Sequence, residues 1–295
     1  MNRRSSNRRL SILVTGASTG IGRALVEKFA SDGHQVFASV RKPEDGDSLN
    51  ALAGEIIPLF FDVTDTEAVF RCAKEAEHKR YRDRAFCIVN NAGIAVGGPL
   101  EILDLKDFKR QFEVNVFGVF AVTQAFLPLV RAMEGGRIVN MSSVSGKFAS
   151  PFLGAYSSSK YALEAYSDAL RRELAVDDIK VLIIEPGPVA TPIWDKGLKM
   201  PRPEGAKRYE QALDRFERYV DHIVKRALEP KHVVRAVERA LLENDPPLRQ
   251  IVTSIASRAE YQLMNLLPDK WIDKALVQQL FKPTKAEAAQ RTAQS

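Results

Sequence analysis

A tyrosine and a lysine four residues apart are the residues of this sequence best suited to proton transfer. Tyr156 and Lys160 lie in a segment with a helical pattern, so their side chains are predicted to share one face of a helix. A free tyrosine has a pKa of about 10, and a neighbouring ammonium group favours the phenolate and lowers that pKa. Of the seven tyrosines in the chain, Tyr156 alone has a lysine four positions later. The pair therefore predicts a phenol that exchanges a proton with a bound substrate.

A serine upstream of this pair adds a hydroxyl group that can hold a substrate oxygen. Ser143 lies 13 residues before Tyr156, just beyond residues 137–141, which read as a β-strand. A hydroxyl at this place can hydrogen-bond the substrate oxygen and orient it toward Tyr156. The sequence therefore predicts a serine, tyrosine and lysine set at the end of a strand and the start of a helix.

A glycine-rich turn joins the first predicted strand to the first predicted helix. Gly16 permits a tight turn, Gly20 lets the backbone approach a pyrophosphate, and Gly22 lets the helix pack closely on the strand. The spacing is G-x-x-x-G-x-G, which differs from the G-x-G-x-x-G of the general dinucleotide fingerprint. The N-terminus of the following helix faces the same turn. Residues 15–22 therefore predict a site for the phosphates of a dinucleotide.

The end of the second predicted strand indicates which dinucleotide is bound. Enzymes that use NAD usually present an acid there to the ribose 2′-hydroxyl, whereas an arginine accommodates the 2′-phosphate of NADP. Arg41 and Lys42 follow this strand, and the first carboxylate comes only at Glu44. We therefore predict NADP(H) rather than NAD(H), the alternative being two solvated surface cations. Asp62, which closes the third strand, is predicted either to accept from the adenine amino group or to cap the next helix.

Short apolar runs alternate with helical patterns and must position these groups. Continuous Val/Ile/Leu runs separated by helices are typical of a parallel sheet that is buried on both faces. We therefore predict an α/β fold, a Rossmann-type doubly wound parallel sheet in a single domain, with ligands at the carboxyl ends of its strands. The predicted strands are residues 10–15, 35–40, 56–61, 86–90, 137–141, 180–185 and 250–254, and the clearest helices are 21–31, 155–174 and 230–243.

The predicted catalytic domain spans residues 10–255, with a tail before it and an extension after it. Residues 1–9 are basic and lack the apolar core of a signal peptide, which predicts a flexible tail. Residues 192–229 are polar, charged and without a strand, which fits either a mobile lid or a solvated helical excursion. Residues 256–295 form a predicted helical extension that packs on the domain, on an oligomer partner or on a membrane surface.

Charge and composition exclude several classes of function. The net charge is +6, but no basic stripe interleaved with aromatic residues is evident, so nucleic-acid binding is not expected. The longest apolar run, residues 116–130, is interrupted and shorter than the ~20 residues of a spanning helix, so no transmembrane segment is predicted. The only two cysteines, Cys72 and Cys87, form neither a metal-ligand cluster nor a disulfide framework. We therefore expect a reduced, cytoplasmic protein without a metal site.

This ordered set of motifs closely resembles the short-chain dehydrogenase/reductase family, in its single-domain branch. The resemblance covers about residues 10–254 and rests on the glycine turn, residues 90–93, Asn115, Ser143, Tyr156 with Lys160, and residues 186–187. It implies that NADPH delivers hydride to a carbonyl carbon while Tyr156 protonates the oxygen, with alcohol oxidation as the reverse reaction. A weaker resemblance to hydroxysteroid and retinol dehydrogenases implies a lipophilic small-molecule substrate.

The resemblance also implies a role for each matching position. Lys160 would bind the nicotinamide ribose and tune Tyr156, Asn115 would hold a water in a proton relay, and Thr19 and Arg41 look like the 2′-phosphate contacts. The implied catalytic residues are Asn115, Ser143, Tyr156 and Lys160. The implied cofactor-binding residues are Gly16, Ser18, Thr19, Gly20, Ile21, Gly22, Arg41, Lys42, Asp62, Val63, Asn90, Ala92, Gly93, Tyr156, Lys160, Pro186, Gly187, Val189 and Thr191.

Three questions stay open at the level of the sequence. The pocket walls are predicted near Val96 and within residues 147–152 and 189–194, where Phe148, Phe152 and Trp194 either line an apolar cavity or belong to the core. The resemblance implies a homodimer or homotetramer, formed through residues 116–130 and the helix after Tyr156. The alternative function is a non-catalytic NADP(H)-binding sensor or scaffold, which would show a damaged catalytic set.

Overall fold

A computed structural model describes residues 8–193, 202, 204–264 and 266–281, and in this part of the chain seven parallel strands form one sheet. The strand order is β3-β2-β1-β4-β5-β6-β7, so the direction of winding reverses between β1 and β4. Ligands of doubly wound sheets bind outside the carboxyl ends of the strands at such a switch point. The strands are β1 (Leu10–Val14), β2 (Gln35–Val40), β3 (Glu55–Phe60), β4 (Ala85–Asn90), β5 (Arg137–Met141), β6 (Lys180–Pro186) and β7 (Arg249–Val252).

Helices cover both faces of the sheet, which confirms the predicted fold class. A π-helical turn, Glu113–Phe117, joins two of them, and short 3-10 helices are formed by Val144–Gly146, Leu174–Asp177 and Glu204–Tyr209. The α-helices are α1 (Gly20–Ser31), α2 (Pro43–Asn50), α3 (Thr66–Lys79), α4 (Leu105–Phe112), α5 (Gly118–Arg131), α6 (Gly154–Glu173), α7 (Glu210–Val224), α8 (Pro230–Leu242), α9 (Ile255–Met264) and α10 (Asp269–Phe281).

Alternating residues of each strand supply two separate apolar cores. Ile12 and Val14 of β1 face α1 and α8, whereas Leu13 between them faces α3 and α5. Successive side chains of a strand point to opposite faces, so a strand buried on both faces must be apolar throughout. This requirement explains why the apolar runs of the sequence predict the strands well, to within about two residues at each end. The largest boundary difference is β7, which ends at Val252 rather than at residue 254.

A third apolar cluster lies beside the sheet and includes the C-terminal helix. Phe152, in the loop before α6, packs with Leu213 and Phe216 of α7 and with Leu280 of α10. The described part of the predicted lid therefore buries an apolar face, and α10 packs on its own chain. Residues 194–201 and 203, which include the predicted pocket residue Trp194, lie outside the described residues. The proposed division into tail, domain and extension stays a prediction.

The longest apolar run belongs to a longer helix than the sequence indicates. Leu105–Arg131 forms one helical segment of 27 residues, long and apolar enough in composition to cross a membrane. Of its apolar window, 56% is buried inside the protein, and side chains such as Phe126 lie in the core under the sheet. Helices in the core of a protein can be as long and as apolar as a membrane span, so this segment is only weak support for one.

Candidate active site

Helix α6 places Tyr156 and Lys160 on one face, as their spacing predicts. The Lys160 ammonium group lies 5.7 Å from the centre of the Tyr156 ring and donates a 2.7 Å hydrogen bond to the carbonyl oxygen of Met141, at the end of β5. Burial lowers the pKa of Lys160 to about 8, and the carboxylate of Glu164 acts in the opposite direction. Lys160 is thus a buried group that is still mainly an ammonium at neutral pH and loses its proton near pH 8.

Ser143 lies between the tyrosine and the next strand. It caps a short 3-10 helix by accepting a 3.1 Å hydrogen bond from the Ser145 amide, and its hydroxyl is 3.4 Å from the Pro186 carbonyl oxygen. The same side chain hydrogen-bonds Tyr156. Burial raises the pKa of Tyr156, and the bond to Ser143 offsets this only in part. In this structure burial thus dominates, and the predicted lowering of that pKa by a neighbouring positive charge stays a prediction.

Asn115 lies in the π-helical turn between α4 and α5, and its side chain holds the loop that follows β4. Its Oδ1 accepts from the Ile94 amide at 2.9 Å, and its Nδ2 donates to the Ile94 carbonyl at 3.0 Å and to Ser159 Oγ at 3.1 Å. Single π turns often occur at functional sites. Here the turn connects the loop after β4 to α6, the helix of Tyr156 and Lys160. The implied role in holding a water stays a prediction.

The glycine turn has a backbone that side chains would block. Gly16 and Gly20 have positive φ values of +64° and +59°, in the left-handed region that glycine favours. A Cβ on Gly16 would be 2.9 Å from Ala92 Cα, and a Cβ on Gly22 would be 2.2 Å from the Gly16 carbonyl oxygen. Gly16 and Gly22 are therefore required by the close approach of β1, α1 and the loop after β4, and Gly20 by its positive φ.

The first turn of α1 offers unpaired backbone donors at this place. Thr19, its N-cap residue, makes no capping side-chain hydrogen bond, and the first turn holds no acidic residue. The N–H groups and the positive end of the helix dipole are thus available to an anion. Ser18 lies in the turn, Ile21 packs on the first core, and Thr191 lies close above Gly20. Residues 16–22 and Thr191 together line a cradle at the N-terminus of α1.

The end of β2 carries an exposed cation beside a fixed carboxylate. Arg41 has a side chain that is 68% exposed, and its guanidinium lies 3.4 Å from Asp62. Burial acts to raise the pKa of Asp62, but hydrogen bonds from Thr64 and the charge of Arg41 outweigh it and hold that pKa below its usual value. Asp65, not Asp62, caps α3, so the capping alternative for Asp62 was wrong. Lys42 is exposed at the start of α2.

Two of the predicted cofactor residues have their side chains elsewhere. Asn90 is buried and donates to Thr123 Oγ1 at 3.1 Å and to Asn140 Oδ1 at 2.9 Å, so only its backbone faces the loop after β4. Val63 is buried against Gly118. Gly93, in contrast, lies at the centre of the site, because a Cβ there would be 3.9 Å from Lys160 Nζ.

The segment after β6 closes the other side of the site. The Gly187 amide donates to the Val252 carbonyl at 2.9 Å, and a Cβ on Gly187 would be 2.6 Å from Thr253 Oγ1. Val189 is buried and forms an isolated bridge to Leu228. The structure thus brings together Ser143, Tyr156, Lys160, the glycine turn and residues 186–191 along one edge of the sheet.

Several supporting residues were not assigned from the sequence. Thr15 Oγ1 accepts from the amides of Asn91 and Ala92 at 2.9 and 3.0 Å, and Asn91 Nδ2 donates back to the Thr15 carbonyl at 2.9 Å. The hydroxyl of Ser39 accepts from the Gly16 amide at 3.2 Å. Thr15 and Asn91 stand inside the recognised motifs, which is the signal that could have identified them. Ser39 has no such signal.

A dinucleotide cradle at the switch point beside a serine, tyrosine and lysine set is the arrangement of a nucleotide-dependent oxidoreductase. The chain matches the short chain dehydrogenase family over residues 11–201. It is 36% identical over 279 residues to the NADPH-dependent 3-dehydrocapnine reductase of Ornithobacterium rhinotracheale, a match that covers 92% of this chain and 98% of that protein. The chain therefore belongs to the short-chain dehydrogenase/reductase family.

Solved structures of this family have the same fold. A short chain dehydrogenase from Burkholderia cenocepacia, in complex with NADP, has a TM-score of 0.69 and 27% identity, covering 94% of this chain and 99% of that chain. A short-chain dehydrogenase from Streptomyces avermitilis has a TM-score of 0.73 and 29% identity, covering 92% of this chain and 96% of that chain. The match extends over nearly the full length of both proteins.

Proposed function

We propose that this protein is an NADPH-dependent carbonyl reductase that converts a lipophilic ketone or aldehyde into an alcohol. The observation that carries the proposal is the convergence of Ser143, Tyr156 and Lys160 beside the glycine turn. The 3-dehydrocapnine reductase is named NADPH-dependent, and the Burkholderia cenocepacia structure contains NADP, which supports the same cofactor here. The sensor or scaffold alternative is not favoured, because all four predicted catalytic residues are present.

The glycine turn and its surroundings fit NADP(H). A Cβ at Gly16 or Gly22 would fill the cradle, and the uncapped N-terminus of α1 offers backbone donors to the pyrophosphate. Arg41 and Lys42 would bind the 2′-phosphate, since β2 is followed directly by these two cations and not by an acid, and the Asp62 carboxylate at the end of β3 is paired with Arg41. Bound NADPH supplies the hydride that reduces the carbonyl carbon.

The protein's own groups supply the proton and orient the carbonyl. Tyr156 would donate its phenolic proton to the carbonyl oxygen, and Ser143 would hydrogen-bond that oxygen and hold it near the phenol. The ammonium of Lys160 stabilises the phenolate that remains on Tyr156. The raised pKa of Tyr156 keeps its proton in place before the reaction, which suits reduction. Hydride and proton together convert the C=O group into a CH–OH group.

An apolar groove beside the catalytic helix supports a lipophilic substrate. The groove has a volume of about 420 Å³ and reaches Gly154, two residues before Tyr156. Its walls come from Leu100, from the loop before α6 and from one face of α10. Phe152 borders it while also packing in the third apolar cluster. The lining is predominantly apolar, as in pockets that bind hydrophobic ligands.

We also propose a homodimer or homotetramer in a reducing compartment. Three large apolar or aromatic side chains are exposed on α6 and on the helix that includes α5, namely Phe117, Phe120 and Tyr161. Phe120 contacts Tyr166 of α6, so the two exposed faces adjoin. An exposed patch of this kind is typical of a protein interface. Cys72 and Cys87 are both buried free thiols, which accords with a reducing compartment such as the cytoplasm.

The catalytic proposal is tested by removing the phenolic proton. We expect Tyr156→Phe to lose NADPH oxidation with lipophilic ketones by at least about a hundredfold, since general acid catalysis contributes about 10²–10⁴. Binding of NADPH, followed by its fluorescence, should persist in that variant. Tyr161→Phe on the same helix is the matched control, because its ring is 45% exposed and the same atom is removed. Near-normal turnover in Tyr156→Phe would refute the proposed role.

A further inference from the structure

A cluster of buried charged side chains lies behind the catalytic face of α6. Glu164 and Glu185 have side chains that are only 6% and 3% exposed. Glu164 Oε2 forms a salt bridge with Lys147 Nζ at 3.2 Å and accepts a hydrogen bond from Arg249 Nε at 3.1 Å. Arg249 also pairs with Asp168 of α6 at 2.7 Å and lies 3.7 Å from Glu185. None of these five residues takes part in the reaction proposed above.

The two buried glutamates are placed so that they can share one proton. Each has one oxygen, Oε1, that makes no hydrogen bond to any donor among the described residues. The Glu185 carboxyl is in hydrogen-bonding contact with that of Glu164, and such a contact needs a proton on one of the two groups. Burial and the negative charge of Glu164 raise the pKa of Glu185 to about 7. Lys147 and Arg249 contact Glu164, so Glu164 is the member that carries the charge.

This pair is connected to each element that holds a catalytic side chain. Glu164 follows Lys160 by four residues, so the two lie one turn apart on the same face of α6. Lys147 belongs to the loop that runs from Ser143 to the start of α6. Glu185 directly precedes Pro186, whose carbonyl oxygen lies 3.4 Å from the Ser143 hydroxyl. A change in charge at the pair therefore acts on Lys160, on the Ser143 loop and on the end of β6.

We propose that Glu164 is a positioning residue whose ionised carboxylate keeps Lys160 protonated, and that Glu185 serves as the neutral hydrogen-bond donor to Glu164. The proposal rests on the proposed reductase function, in which the Lys160 ammonium stabilises the phenolate of Tyr156. The charge of Glu164 is set by charged groups on every neighbouring element. These are Lys147 from the loop after β5, Glu185 from β6, Arg249 from β7, and Asp168 with its partner Arg171 from α6.

The first test is the pH profile of kcat/KM for ketone reduction in Glu164→Gln. The amide removes the negative charge that supports the Lys160 ammonium, so the pKa of Lys160 falls below its value of about 8. The alkaline limb of the profile should then move to lower pH by about one unit, which is a loss of about fivefold at pH 8, with little change at pH 6. The control is Glu173→Gln, an exposed glutamate on the same helix.

The second test is Glu185→Gln, which keeps a neutral donor beside Glu164. Glu185 itself loses its proton near pH 7, but Glu164 is the carboxylate whose charge acts on Lys160. We therefore expect this variant to move the alkaline limb of kcat/KM by much less than Glu164→Gln does. Infrared spectroscopy at pH 6 should show the C=O stretching band of a buried protonated carboxyl group in the wild type and in Glu173→Gln. That band should be absent from Glu185→Gln. This readout needs no catalysis, so it stands or falls separately from the reductase function.

The outcomes test the role of the glutamate pair separately from the reductase function. A Glu164→Gln profile that overlays the wild type, in a variant with an unchanged melting temperature and NADPH affinity, would overturn the role of Glu164. An equal shift of the alkaline limb in Glu185→Gln would mean that Glu164 is not the residue that carries the charge, and would also overturn the proposal. An infrared band that is unchanged in Glu185→Gln would overturn the role of Glu185 as the proton donor. The wild type could fail to reduce any ketone and still show a carboxyl band that Glu185→Gln loses. That result would refute the reductase function and leave the shared proton in place.

Discussion

Arg41 is the side chain that we expect to distinguish NADPH from NADH. Its guanidinium extends from the end of β2, 68% exposed and 3.4 Å from Asp62, at the place where the adenosine ribose of a dinucleotide lies in this class of fold. The neighbouring carboxylate weakens but does not cancel its positive field, since exposed ion pairs contribute little. An incoming 2′-phosphate, with more charge than a carboxylate, would compete successfully for the guanidinium.

We therefore expect Arg41→Ala to weaken NADPH binding by tenfold or more, about 1.4 kcal/mol, because one charge-assisted contact to the 2′-phosphate is lost. Affinity for NADH should change by less than about twofold. Fluorescence titration of each cofactor measures both constants, and Arg82→Ala, whose side chain is also exposed, is the control. Equal losses for NADPH and NADH, or tighter NADH binding in the wild type, would contradict the assignment of the 2′-phosphate site.

The residues that sequence reasoning located are those with local spacing. Tyr156 and Lys160 share a face because four residues make one helical turn, and Ser143 joins them because β5 ends beside α6. Ser39 and Ser159 could not be found in this way. Their hydroxyl groups contact Gly16 and Asn115, residues far away in the chain, and such bonds leave no periodic pattern. Asn90 was placed by its motif, yet its side chain turns to Asn140.

At the scale of elements, the junction of β1 and α1 depends on the absence of a side chain. A Cβ on Gly22 would lie 2.2 Å from the Gly16 carbonyl and 2.6 Å from Asn91 Nδ2. The obstacle is partly backbone, so no rotation of a side chain relieves it. Gly22→Ala should therefore push α1 away from the turn and distort the cradle.

We expect Gly22→Ala to lower the free energy of unfolding by about 1–3 kcal/mol and to abolish the thermal stabilisation that NADPH gives. Thermal denaturation with and without NADPH measures both effects. Gly205→Ala is the matched control, because Gly205 lies in a short 3-10 helix away from the cradle. A Cβ there would be 3.2 Å from one methyl group of Ile102. A Gly22→Ala variant that binds NADPH as the wild type does would show that the turn adapts.

The sequence predicts the elements whose residue pattern permits a single interpretation and misses those whose pattern fits two structures. Apolar runs give the strands because burial on both faces leaves little choice of residue. Residues 113–117 carry the same helical pattern as their neighbours, so nothing in the sequence marks the π turn at Asn115. In α7, charged residues surround a narrow apolar stripe that includes Leu213 and Phe216, and the polar composition of residues 192–229 concealed it.

At the scale of the whole molecule, the two sides of the catalytic helix have different partners. One side of α6 faces the sheet, where Lys160 donates to the Met141 carbonyl, and the buried charged cluster that includes Glu164. The other carries Tyr161, which is 45% exposed, and adjoins the preceding helix, on which Phe117 and Phe120 are exposed and Phe120 contacts Tyr166 of α6. A second copy of the chain would cover this face by two-fold symmetry, in which the same patch is contributed by both subunits. Such an interface would also rigidify the helix that holds Tyr156.

We predict that Phe120→Glu separates the oligomer into monomers, because two buried charges would face each other across a two-fold axis without partners. Size-exclusion chromatography with light scattering should give the wild type as a multiple of the 32.9 kDa chain and the variant as a single chain. Val176→Glu, at a residue that is 87% exposed after α6, introduces the same charge away from the patch and should leave the mass unchanged. A wild type that is already monomeric at micromolar concentration would contradict the interface, and a Phe120→Glu variant of unchanged mass would place it on another surface.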